Sequence, residues 1–177
     1  MERAKRRLLF SLFQLGVSPV PKSKDSAKRL SFRLLAEGEK KVMTGHFGDE
    51  SVSYADASKA HYAKPPDDLW KAEFISSYAA SDPWEDWAEA FAHFLHMRDV
   101  VETSRAVDLI VDGGVECISD FEASMKLWLS TTFRINQIGR SIGSGGLYPF
   151  VLNDRFIEKM RFIHGVVFAA GAPQVQY

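Results

Sequence analysis

Apolar residues recur at helical spacing over most of the chain. In residues 4–16, Leu8, Leu9, Leu12, Phe13 and Leu15 gather on one side with Gly16 as a stop, which predicts a first helix. VSPVPKSKDS then breaks regular structure, and LSFRLLAEGEKKVMTG holds two short apolar runs split by Glu37-Gly38-Glu39, the pattern of a hairpin. From Asp49 onward the spacing predicts helices at 49–63, 67–79, 83–104, 119–139 and 153–169, parted by Pro, Gly and Asp clusters. The chain therefore reads as mainly α: a single helical domain over residues 1–177 with a small irregular or hairpin N-terminal part. Trp84, Trp87, Phe91, Phe94, Trp128, Phe133, Phe156 and Phe162 sit on the apolar faces of the strongest periodic segments and form the expected core. GRSIGSGGLYP lacks the Gly-Lys-Ser/Thr ending of a P-loop and follows no clear strand, so it reads as a loop.

The segment SDPWEDWAEAFAHFLHM, residues 81–97, carries the most chemistry. Asp82, Pro83 and Glu85 make a strong helix start: an N-cap oxygen, a proline at the first helical position and an acid in the first turn. At about 100° per residue, Glu85, Glu89, His93 and His96 fall near 0°, 40°, 80° and 20°, so they share one face, while Trp84, Trp87, Phe91, Phe94 and Leu95 cluster opposite. Two readings follow. The stripe is a solvent-facing row with Glu89 and His93 as an ordinary i,i+4 pair, or its carboxylates and imidazoles converge on a metal completed by another element. Spacing alone leans to the first, since one helix seldom supplies a tetrahedral set.

Composition narrows the remaining classes. With 177 residues, 46% of them apolar, the chain can bury a sizeable core, and a second domain is not expected. The charge is balanced, 22 basic residues against 23 acidic, so no global field argues for nucleic acid or an anionic membrane. Arg3, Lys5, Arg6, Arg7, Lys22, Lys24, Lys28 and Arg29 form the only basic cluster, which reads as a solvated helix end. Cys117 is the only cysteine, excluding an internal disulfide and a zinc ribbon of paired cysteines. The N-terminal apolar stretch is short, contains Gln14 and lacks a small-residue cleavage site, and no run approaches the ~18 apolar residues of a membrane span. A cytoplasmic protein is the expectation. Cys117 beside Glu116 has no electropositive neighbour in sequence, and no nucleophile elbow is visible.

FISSYAASDPWEDWAEAFAHFLHMRDVVETS closely resembles the conserved block of a bacterial family of zinc-binding metallopeptidases, with its Ser-Ala-Tyr-Ala, Pro-Trp-Glu-Asp, Ala-Glu and Ala-His-Tyr-Leu-His series. The resemblance extends through RRLLFSLFQLGV, SFRLLA and VMTGH upstream, and through FGDESVSYADASKAHYAKPPDDLW, LWLSTTFRINQIGRSIG and LYPFVLNDRFIEKMRFIHGVV. Such proteins look like gluzincins, in which two histidines of an HExxH helix and a later glutamate hold zinc, and the HExxH glutamate activates the metal-bound water. By that resemblance Glu85 matches the third metal ligand and Glu89 an acid that orients a ligand histidine. His93 and His96 match positions with a structural or supporting role, and the substrate class is a peptide or protein.

The departure from the family pattern is large. None of the histidines, His46, His61, His93, His96 and His164, stands in an HExxH, and the upstream segment runs into the downstream one at Gly45-His46-Phe47, where the family places that helix. An internal deletion near 46–47 is the expectation, with no catalytic residue retained. Three readings stay open: a metallopeptidase relative that has lost two zinc ligands and its general base; a non-enzymatic helical protein- or peptide-binding module; or a protein still binding zinc weakly through Glu85, helped by Glu89, His93, His46 or His61. Loss of the helix should leave an apolar groove, through which a homodimer is expected.

Overall fold

The three longest described helices begin where Asp82, Asp120 and Asn153 supply capping oxygens. The computed structural model describes residues 37–49, 51–65, 67–109, 119–148 and 150–169; the expected helix over 4–16 and the basic cluster lie outside them. Among the described residues the order is α1 (Glu37–Phe47), α2 (Tyr54–Tyr62), two 3-10 turns (Leu69–Ala72 and Ala79–Ser81), α3 (Pro83–Ala106), α4 (Phe121–Ser141) and α5 (Asp154–Ala169). The chain is mainly α, as its periodicity predicts.

Asp82 accepts the amide of Trp84 at 2.8 Å and Pro83 fills the first helical position, so α3 starts where its motif starts. Asp120 caps α4 by accepting from Ala123 N at 2.8 Å, and the Asn153 side chain accepts from Phe156 N at 2.8 Å at the head of α5. α1 ends at Gly48, whose φ of 99° belongs to the left-handed region and whose amide returns to Thr44 O at 2.9 Å. α3 is the central element: α4 and α5 pack on it, and α1 lies against α5 and α3. Trp87, Phe94, Met97, Trp128, Phe156, Met160 and Ile163 fill the interior.

Three expectations require correction. The hairpin read from 30–45 is, over its described part, helix α1: Glu37-Gly38-Glu39 opens the helix instead of turning a hairpin, and Met43 and Phe47, four residues apart, supply the buried face. The helix read from 67–79 is two short 3-10 turns around an irregular segment. Its carbonyls are taken from outside: Asn153 Nδ2 donates to Lys71 O at 2.9 Å and Phe74 O at 3.1 Å, and Lys159 Nζ donates to Glu73 O at 2.9 Å. Phe133, expected in the core, is 63% exposed, whereas Trp87, Phe94, Trp128 and Phe156 are buried and Trp84, Phe91 and Phe162 pack against them.

Of the GRSIGSGGLYP stretch read as a loop, residues 139–141 still belong to α4 and 142–148 are the loop. Asn136 grips it at two points, donating from Nδ2 to Tyr148 O and accepting from Tyr148 N, each at 3.1 Å. The side-chain amide thus does for Tyr148 what a neighbouring strand would do.

Candidate functional site

The stripe of α3 does not face solvent. Glu85 is 2% exposed and His93 7%, Glu89 is half-buried, and only His96 is open to water. The solvent-facing reading is therefore corrected. The face is covered by the 73–81 segment, which periodicity placed in a helix of its own and which supplies hydroxyls to the acids beneath it.

Ser76 Oγ donates to Glu89 Oε2 and accepts from Ala79 N at 3.0 Å, so its one proton points at the carboxylate. The Tyr78 hydroxyl hydrogen-bonds Glu85. Burial first, then this bond and the negative charge of Glu85, raise the Tyr78 pKa and hold the phenol neutral. The side chain of His61 on α2 lies near the same segment, with Nε2 3.4 Å from Ser77 Oγ.

Beyond one turn of α3, His93 belongs to a different neighbourhood. Its ring sits edge-on to Phe150 at 4.7 Å, Phe156 at 5.6 Å and Tyr148 at 5.7 Å, and its Nδ1 is 3.1 Å from the Tyr148 hydroxyl. Burial is the main cause of a His93 pKa lowered to about 4, with His96 adding to it, so the imidazole is neutral at pH 7. His46 lies on α1, half-buried and stacked on Phe162 of α5 at 5.4 Å. Burial lowers its pKa too, and the charges around it, Glu158, Arg155 and Lys159, all belong to α5.

Asp86, between the stripe and the core, makes a 2.6 Å ion pair with Lys159; the two side chains are 0% and 4% exposed. Burial pushes the Asp86 carboxyl up, to about 7, against the pull of Lys159, and its Oδ1 has no hydrogen-bond partner among the described residues. The pair joins α3 to α5, and Lys159 Nζ lies 4.3 Å from the Phe74 ring centroid.

These residues do not fit a zinc ion as they stand. Glu85 and Glu89 hold hydroxyls of the covering segment, His93 Nδ1 faces a tyrosine in an aromatic cage, and His46 packs on another helix. Among the described residues no three His, Cys, Asp or Glu side chains converge to hold a metal. Sequence reasoning missed the partners that define the region: Ser76, Tyr78, Tyr148, Asn153 and Lys159. SSYAAS had a legible signal in two hydroxyls two residues apart ahead of an acid-rich helix; Lys159, on a helix face among Phe156, Met160 and Ile163, gave none.

A mainly helical domain built round an acid-bearing central helix, with a serine- and tyrosine-bearing segment folded over its first turns, defines the class. The chain belongs to the family described as "Putative zinc-binding metallo-peptidase", which matches residues 47–166. Uncharacterized proteins of Mycobacterium bovis and Mycobacterium tuberculosis are each 31% identical to it over 232 aligned positions, taking in 94% of this chain and 68% of their own length. As 94% of 177 residues is about 166, about 66 of those 232 positions have no counterpart here. No solved structure matches the chain. Among the described residues no helix is long and apolar enough to cross a membrane.

Proposed function

We propose that this chain is a non-proteolytic member of its zinc-metallopeptidase family: a helical module that binds a peptide or protein without cutting it. The observation that carries this reading is the absence of HExxH from the sequence. The mechanism needs a glutamate placed to take a proton from metal-bound water, and positioned general-base catalysis is typically worth about 10²- to 10⁴-fold. It also needs two histidine ligands, and the described residues bring no such set together. The length difference from the mycobacterial relatives supports an internal loss, and a family match that starts at Phe47 is consistent with a junction at His46-Phe47.

α1 supports the same reading from the structural side, because its last turn closes directly on α3. The Phe47 ring meets Trp87 of α3 at 5.1 Å, edge to face, leaving the two elements in contact. Exposed apolar side chains stand on α4, where Leu129 and Phe133, one turn apart, are 46% and 63% exposed. A peptide, or a second copy of the chain, is the partner class that this apolar pair and the family suit.

Incubating the purified chain with zinc and an unfolded protein substrate, with and without chelator, tests the proposal. No cleavage above background is expected. Chelator-sensitive, zinc-dependent cleavage would overturn it.

A further inference from the structure

We propose that Glu85 and Glu89 serve this chain as hydrogen-bond acceptors that fasten the 73–81 segment onto α3 without a metal. On this view the place where the family carries a zinc ligand works here as a closed polar latch. The inference goes beyond loss of proteolysis, since a protein could lose that activity and still hold zinc.

Both acids have donors supplied from one short piece of chain. Ser76 is committed to Glu89 because its oxygen is already an acceptor for Ala79 N, 3.0 Å away, leaving its proton for the carboxylate. Tyr78, two residues on, delivers its hydroxyl to Glu85 one helical turn earlier. The chain of the segment runs against the direction of α3, so successive hydroxyls reach successive acids.

The segment is also held from its other side. Asn153 and Lys159 of the α5 region bind the carbonyls of Lys71, Glu73 and Phe74, and Ile75, Ala79 and Ser81 are 4%, 0% and 5% exposed. A cation reaching Glu85 would have to displace the Tyr78 hydroxyl and lift buried residues off the core. None of the three histidines named as helpers is placed to complete such a site: His93 faces Tyr148, His46 lies on Phe162, and His61 meets the Ser77 hydroxyl, with no three metal-binding side chains converging among the described residues. Zinc asks for about four ligands, and two engaged carboxylates on one helix offer it a poor start.

The test is thermal unfolding of the full chain, stripped with chelator and then measured with and without excess zinc chloride. Wild type, Glu85→Gln and the double variant Ser76→Ala with Tyr78→Phe are compared. The wild-type Tm should be the same in chelator and in zinc. Glu85→Gln keeps an acceptor oxygen for Tyr78 and should melt within about 2 °C of wild type, whereas the double variant should melt about 5 °C or more lower. If the double variant does not fold, Tyr78→Phe alone gives the same readout with a smaller drop. A zinc-induced rise in the wild-type Tm that Glu85→Gln abolishes would overturn the latch while leaving the non-proteolytic reading intact. So would hydroxyl variants that melt like wild type.

Discussion

Tyr148 and His93, 55 residues apart in the chain, meet with the phenol oxygen 3.1 Å from the imidazole Nδ1. Asn136 fixes the tyrosine backbone, and the rings of Phe150 and Phe156 stand edge-on to the histidine. Tyr148→Phe leaves a buried ring nitrogen unsatisfied and should destabilise the fold by about 1–3 kcal/mol. Urea unfolding checks this, with Tyr62→Phe as control: Tyr62 is 67% exposed, and its loss of a hydroxyl should change stability by less than about 0.5 kcal/mol.

The same histidine sets a pH dependence. Its folded pKa is about 4 against 6.5 when unfolded. Between those values the unfolded chain takes up a proton that the folded ring refuses. Stability should therefore fall as pH is lowered through this window, by up to about 3 kcal/mol. Asp86 opposes it, since a carboxyl raised from 3.8 to about 7 loses folding stability as pH rises over its own window. Comparing wild type with His93→Gln separates the two. The variant should lose less stability than wild type between pH 6.5 and 4; identical profiles would show that His93 is not the titrating group.

Asp86→Ala strands the Lys159 ammonium in the interior, and Lys159→Ala leaves the Asp86 carboxyl buried without the cation that favours its ionised form. Asp86→Ala or Lys159→Ala should cost about 3–5 kcal/mol, while Asp86→Leu combined with Lys159→Met should recover a large part of that. A double-mutant cycle by chemical unfolding measures the coupling. Additive losses would mean that the two side chains act independently.

Two phenylalanines that look alike in sequence should behave differently. Phe94 is fully buried, and Phe94→Ala should cost about 3–5 kcal/mol. Phe133, at 63% exposed, should tolerate Phe133→Ser within about 0.5 kcal/mol. If the replacement instead weakens self-association in sedimentation, the exposed face of α4 is a contact surface.

The long helices were legible because each carries both its period and its cap: Asp82-Pro83 opens α3, Asp120 opens α4 and Asn153 opens α5. α1 was not, because two buried residues, Met43 and Phe47, are too few to set a period against the Glu37-Gly38-Glu39 break. The 67–79 stretch failed for another reason. Its apolar residues suit a helix, but its carbonyls are claimed by Asn153 and Lys159, about 80 residues away in sequence, which no local window sees. The acid stripe was found on its helix, and its one-sidedness was correct; its burial was not, because Ser76 and Tyr78 look like ordinary loop residues until they are folded onto it.

Lys159 reaches across from α5 to hold both Asp86 and the carbonyl of Glu73 in the interior. Its ammonium can leave that position only if α5 separates from α3 and water enters with it, so the 70–75 stretch has no inexpensive local opening of its own. In deuterated solvent the Phe74 amide, bonded to Trp70 O at 2.8 Å in a segment with barely one turn of regular structure, should exchange at the slow pace of the helix interiors beside it.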